Sequence, residues 1–354
     1  MTQDEVIIIK IGGSSITNKA TEETLNQDAI DWFAKLISAS VHKSFLFSDK
    51  EEQQEKEDDD GKKKPKFVVV HGAGSFGHHS AKRYGLQCGK AALLKSNGGS
   101  LSPTAADETC SSSSSSSVQK RKRFQMEALS KTRHSVQKLN AAMVGTLLDH
   151  GVNACNISPG VSLPGMRAYG SSTNNKTNRG SVAAMDLLCE SINQALDAGL
   201  LPVIHGDACL LDDKHAGILG GDTLVEGLVS SEKMKDNVHK VIFISDIAGV
   251  FTSDPKINKD ARLIRSLKVD VTTGEVTIDN NDDDDNVANE MDVSGSSHAH
   301  DVTGGLKAKL CSAVTAVQCG KEVVIAKCCS TSAEKYIQGD SSSAEEGTLI
   351  SKKL

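Results

Sequence analysis

The stretch Val6-Ile7-Ile8-Ile9-Lys10-Ile11-Gly12-Gly13-Ser14-Ser15 decides how the rest of the chain is read. A run of β-branched residues predicts a strand, and its near-unbroken apolar character predicts a sheet covered on both faces. The two glycines that end it let backbone approach a ligand closely, and their N–H groups can form an anion nest. Lys10 is out of place in such a strand, because lysine is seldom buried without a partner. A phosphate is a natural partner; a solvated lysine before a plain Gly-Gly turn is the ordinary alternative. Lys19 lies just beyond.

Outward from this stretch the same kind of run recurs at Phe67–Val70, Val152–Ile157, Pro202–Ile204, Val241–Ile244 and Glu322–Ile325. Helical patterns lie between the runs. Asp28 can cap a helix whose Ile30, Phe33, Leu36 and Ile37 share one face. Leu129, Val136, Leu139, Met143 and Leu147 keep helical spacing up to Gly151, and Met185, Leu188, Ile192 and Leu196 do so up to Gly199. Strands alternating with helices predict an α/β chain, a three-layer αβα sandwich around a mostly parallel central sheet. The apolar stripes are core and carry no chemistry.

The chain has 354 residues, and its 46 acidic against 40 basic side chains give a formal charge of −6. No basic stripe is present, which argues against nucleic acid or an anionic membrane as partner. No apolar run approaches the roughly 20 residues of a membrane helix, and no secretory signal pattern is present. The nine cysteines form no C-x-x-C pair, so free thiols in a reducing cytoplasm are expected, and no protein-bound metal. Three polar stretches dilute the composition, near 48–66, 96–119 (with the serine tract Ser111–Ser117) and 270–300 (with Asp282–Asp285). Each lacks the apolar residues needed to offset ordering entropy and is read as a disordered surface insertion.

In such folds ligands bind beyond the carboxyl ends of the strands. After the second run comes His71-Gly72-Ala73-Gly74-Ser75-Phe76-Gly77-His78-His79. The span Gly72–Gly77 fits G-x-G-x-x-G, but a dinucleotide site wants an acidic residue about 20 positions on. No Asp or Glu occurs between Gly77 and Asp107, so this is a phosphate cradle of another kind. His78 or His79 can donate to a phosphate, or can be an ordinary surface histidine. His205-Gly206-Asp207 follows the fourth run, and Gly220-Gly221-Asp222 opens a helix that Asp222 can simply cap. Ser245-Asp246 leads to Gly249 and Asp254 in a loop able to dock a ribose and base, or to serve as a plain turn. Thr303-Gly304-Gly305 precedes Lys307 and Lys309 at a helix start, where anions bind. No Walker A, protein-kinase, G-x-S-x-G or H-E-x-x-H pattern occurs. Glycine loops with lysines at several strand ends suit phosphoryl transfer, which depends on positioning and charge neutralisation.

Taken together, Lys10–Ser14, Gly206-Asp207, Ser245–Pro255 and Asp301–Gly305 resemble the amino acid kinase superfamily. Within it, Lys10 followed by Ile16-Thr17-Asn18-Lys19, His71–Leu86 and Ile157-Ser158-Pro159 are similar to the isopentenyl phosphate kinase family. The likeness spans Val6 to about Ala326 and skips the insertions. It implies ATP-dependent phosphorylation of isopentenyl phosphate to isopentenyl diphosphate, by direct in-line transfer, in isoprenoid biosynthesis of the mevalonate type. It implies Lys10, Lys19, His78, Asp222 and Lys309 as catalytic. Gly12, Gly13, Ser14, Asp246, Gly249, Asp254, Thr303, Gly304 and Gly305 would bind nucleotide. Gly72, Ala73, Gly74, Ser75, Gly77, Ser158, Pro159, Gly206 and Asp207 would bind the acceptor. Mg²⁺ would be held mainly by ATP oxygens and water. Residues 1–200 would be an acceptor-binding lobe and 201–354 a nucleotide-binding lobe, in a homodimer. The partner would be a small isoprenoid monophosphate. The pattern departs at Ala73, His79, Leu306 and His205. The alternatives are another phosphate or phosphonate acceptor on this fold, a nucleotide-binding regulator without turnover, and a Rossmann dehydrogenase, which the missing ribose acid opposes.

Overall fold

The structure is a computed structural model that describes residues 5–42, 65–84, 86–88, 115–159, 178–210, 216–253, 255, 257–279 and 304–353. Strand β1 is Val6–Ile11, every residue buried. It lies between β2 (Lys66–His71) and β8 (Val238–Ser245), parallel to both. β2 continues to β5 (Leu201–His205) and β4 (Ala154–Ile157), and β8 continues to β13 (Glu322–Lys327), again all parallel. Beyond β13 the antiparallel β14 (Thr348–Lys352) joins β11 (Ser266–Val269) and β12 (Val276–Ile278), completing a nine-stranded sheet.

Alternate residues of the central strands feed two separate cores, as strand geometry requires. Val6, Ile8, Val68, Val70, Val241 and Phe243 pack with helices α5 (Asn178–Asp197), α6 (Gly221–Ser230) and α7 (Gly304–Gln318). Ile7, Ile9, Ile11, Val69, Ile242 and Ile244 pack with α2 (Gln27–His42), α4 (Ser115–Asp149) and α8 (Thr331–Ile337) on the other face. The expected three-layer αβα sandwich is therefore present. A short turn, α1 (Gly13–Ile16), follows β1, and α3 (Gly74–Arg83) follows β2. A small sheet of β3 (Gln87–Cys88), β7 (Ala216–Leu219) and β6 (Asp207–Leu210) lies beside α4. Paired β9 (Val250–Phe251) and β10 (Leu263–Ile264) follow β8.

Four boundaries differ from those expected. Val152 is not in β4: its N–H donates to Leu147 O and closes α4, with Gly151 in the left-handed region. The polar stretch from Asp270 begins as a hairpin turn, not an insertion. The Asp270 carboxylate accepts from the N–H groups of Thr272 and Thr273, Gly274 turns with positive φ, and β12 follows. Ser115–Gln119, read as the end of the second insertion, belongs to α4. Lys66, read as the end of the first insertion, begins β2. The insertion residues 48–64, 96–114 and 280–300, including Ser111 and Asp282–Asp285, lie outside the described residues. Among the described residues no helix is long and apolar enough to cross a membrane.

Candidate active site

The carboxyl ends of β4, β5, β2, β1, β8 and β13 lie along one edge of the sheet, because all six strands are parallel. Two of the loops there touch. A Cβ on Gly13 would overlap the backbone nitrogen and Cα of Gly74, and one on Gly72 would come within 2.7 Å of Gly13 N. Thr17 pins the contact: its hydroxyl donates to Gly13 O at 2.7 Å and accepts from Ser75 N at 3.0 Å. Glycine is thus needed at these positions so that the turn after β1 and the turn after β2 can abut.

Charges converge beside this contact. Lys10 points to the face covered by α6 and meets Asp222 at 2.8 Å; the lysine side chain is only 6% exposed and the aspartate 25%. Apart from this ion pair, Asp222 Oδ1 is buried without a hydrogen-bond partner among the described residues. Lys19 meets Asp246 at 2.8 Å nearer the surface. Burial pushes the Asp246 carboxyl up, but the hydrogen bond and charge of Lys19 outweigh it and hold the group below the ordinary carboxylate value. Lys309, on α7, is buried. Burial and the nearby Lys10 ammonium lower its pKa, against the pull of Asp222 and Asp246. Among the described residues, three ammoniums and two carboxylates thus form one interacting cluster beside the glycine contact. Both carboxylates are paired with lysines, and no group of three or more His, Cys, Asp or Glu among the described residues could hold a metal ion.

On the other side of the contact, His79 Nε2 lies 3.1 Å from the Lys19 carbonyl, which occupies it. His78 is exposed, yet the protein crowding its ring, with the charges of Lys19 and His79, keeps its pKa below the ordinary histidine value. Ser75 is committed within the protein: its N–H goes to Thr17, and its hydroxyl pairs with the Thr24 backbone at 3.3 and 3.4 Å. Ala73 precedes α3, and the backbone at Gly77 packs against the Ala73 methyl. Asp207 is fully buried; it accepts from Ala208 N at 2.8 Å, from Arg133 at 2.5 Å and from Ser158 at 3.3 Å. Arg133 also donates to Ser158 Oγ at 2.8 Å, so the two predicted acceptor residues meet through an arginine. Pro159 is buried beside Ser158. Gly206 N–H donates to His71 O at 2.8 Å, tying the β5 loop to the β2 loop.

Other predicted residues divide. Ser14 lies in the turn after Gly12, whereas the neighbouring Ser15 hydroxyl is buried and has no partner among the described residues. Gly249 has a packing reason: a Cβ there would overlap the Thr348 hydroxyl, which accepts from Val250 N and donates to Ile264 O. Gly304 and Gly305 open α7. Asp254 and Thr303 lie outside the described residues.

The Amino acid kinase family matches residues 5–327, nearly all of the chain. The chain belongs to this family. An isopentenyl phosphate kinase of Arabidopsis thaliana is 29% identical over 282 residues, 78% of this chain and 68% of that protein. An isopentenyl phosphate kinase of Methanothermobacter thermautotrophicus is 26% identical, covering 73% of this chain and 74% of the relative. Among solved structures, the product complex of T. acidophilum isopentenyl phosphate kinase superposes with a TM-score of 0.57 at 19% identity, over 98% of this chain and 99% of that one. The match confirms the fold.

Sequence reading missed the residues that α4 supplies to this candidate site. Thr132 shares a 2.7 Å hydrogen bond with Ser80 of α3, Asn140 contacts His71 at 2.9 Å, and Arg133 holds Asp207. Thr132, Val136 and Asn140 are spaced by four and are buried. Polar residues in register with the apolar stripe were the available signal.

Proposed function

We propose that this chain phosphorylates isopentenyl phosphate with ATP, giving isopentenyl diphosphate and ADP. The observation that carries the reading is the contact of Gly13 with Gly74, which sets the lysine cluster directly against the histidine-flanked glycine loop. The named relatives at 26–29% identity support isopentenyl phosphate as the acceptor.

The acceptor phosphate is a nucleophile without a general base, so the obstacle is repulsion between two anions. Lys10, Lys19 and Lys309 neutralise the transferring group, and Gly12 and Gly13 offer it backbone N–H groups. Asp222 orients Lys10. Gly72 and Gly74 line the acceptor phosphate and His78 donates to it, since His79 is engaged with Lys19. Ser75, Asp207 and Ser158 shape that loop through their internal bonds. Asp246 and the start of α7 serve the nucleotide. Mg²⁺ suits this donor set as an ion carried by ATP oxygens and water, neutralising phosphate charge when bound. The division into an acceptor lobe (1–200) and a nucleotide lobe (201–354), a homodimer and a place in mevalonate-type isoprenoid synthesis belong to the same proposal.

The test is ADP release with Mg-ATP and a panel of isopentenyl, dimethylallyl and geranyl phosphates, fosfomycin, N-acetylglutamate and UMP. Turnover of isopentenyl phosphate is expected, with collapse in His78→Ala and a loss of about 10³-fold in Lys10→Ala, as for other transfer-site cations. Turnover of another panel member alone would overturn the acceptor. ATP binding without any turnover would favour a regulator.

A further inference from the structure

His205 stands at the end of an otherwise apolar strand and has no part in the roles above. Its side chain is fully buried, in register with His71 on the neighbouring strand, and the two rings stack at 5.9 Å. Each ring places Nδ1 3.1 Å from the carbonyl of the next residue, Gly72 for His71 and Gly206 for His205. His205 Nε2 has no hydrogen-bond partner among the described residues. A carbonyl can only accept, and a neutral imidazole has one N–H and one lone pair. The proton therefore sits on Nδ1 and is given to Gly206 O. Burial, with His71 and Arg133 nearby, pushes the pKa to about 3, so the ring stays neutral through the physiological range.

Gly206 occupies a sensitive place. Its Cβ position would be 3.7 Å from Ala73 N in the acceptor loop and 3.3 Å from Gly221 N, next to Asp222. Its N–H is already tied to His71 O. Its carbonyl, if swung toward the glycine loop, would present negative charge to an anion. Glycine does little to resist that rotation.

We propose that His205 is a positioning residue for the acceptor phosphate: its Nδ1–H holds the Gly206 carbonyl away from the anion site lined by Gly72 and Gly74. The inference rests on the kinase reading and extends it to the backbone behind the acceptor loop. His71 makes the same contact but also meets Asn140, so His205 is the cleaner probe.

Asparagine can set its amide nitrogen where Nδ1 lies, whereas glutamine reaches toward Nε2. His205→Asn should keep acceptor KM close to that of the wild type. His205→Gln and His205→Phe should raise it about tenfold, the scale of one hydrogen bond, with kcat and the KM for ATP unchanged. In full-length protein with ¹⁵N-labelled histidine, His205 should show the neutral Nδ1–H tautomer from about pH 5 to 8. An Nε2–H tautomer overturns the proposal. So do Asn and Gln variants that behave alike, or a parallel rise in the KM for ATP, which marks general disruption. A wild type that ignores isopentenyl phosphate overturns the acceptor reading alone. The tautomer and the KM for whichever phosphorylated compound is turned over then decide the role of His205.

Discussion

Lys10 illustrates how one side chain links sequence, stability and chemistry. In a strand buried on both faces its ammonium must be matched, and Asp222 is the match at 2.8 Å. Removing one partner of a buried pair leaves a charge without compensation, which costs more than the pair itself contributes. Asp222→Asn should therefore lower stability in denaturant melts by roughly 2 kcal/mol, under the range for fully buried pairs because Asp222 is a quarter exposed. Adding Lys10→Met should restore part of that loss by removing the orphaned charge. An unchanged unfolding midpoint in Asp222→Asn would mean that the ammonium is already solvated. His78 gives a second test. Its pKa is lowered, so the free protein holds it neutral near pH 7. A bound phosphate favours the charged ring and raises the pKa again, so acceptor binding takes up protons. Calorimetry in buffers of different ionisation enthalpy should show this uptake near pH 7, and His78→Asn should reduce it. Equal uptake in both proteins would remove His78 from the acceptor site.

The elements were legible where one physical rule dominated. β1 and β8 were readable because apolar residues on both faces leave few alternatives to a central parallel strand, and the glycines after β1 and β2 marked the two turns that abut at the candidate site. The errors came where two rules competed. Val152 has the composition of a strand, but its N–H is drawn into closing α4. The segment from Asp270 has the composition of an insertion, but a carboxylate capping two N–H groups makes it a hairpin turn. The site followed the same logic. Lys10 and Asp246 lie at the ends of β1 and β8, Lys19 and Asp222 follow in a turn and in α6, and the family resemblance rather than the local pattern alone singled them out. Arg133 and Asn140 reach the site from the middle of α4, far in sequence from the loops they hold, and only tertiary packing shows what they touch.

At the scale of the whole molecule, the placement of the polar insertions matters more than their length. Parallel strands put all their carboxyl ends on one edge, which is the edge of the candidate site. Residues 48–64 lie between α2 and β2, so they feed the amino end of β2 at Lys66, the edge away from the lysine cluster. Residues 280–303 lie between β12 and α7, and they lead into Gly304 and the helix that carries Lys309. Loop-closure entropy changes by only about 0.6 kcal/mol for each doubling of length, so neither stretch is a large stability determinant by length alone. Replacing 48–64 by a Gly-Ser segment about half as long should leave the unfolding free energy from urea melts within about 1 kcal/mol of the original and leave kcat and both KM values unchanged. The same shortening of 280–300 should raise the KM for ATP, because it moves the start of α7 relative to the lysine cluster. If instead the first replacement impairs turnover and the second does not, the functional edge of the sheet has been assigned to the wrong end of the strands.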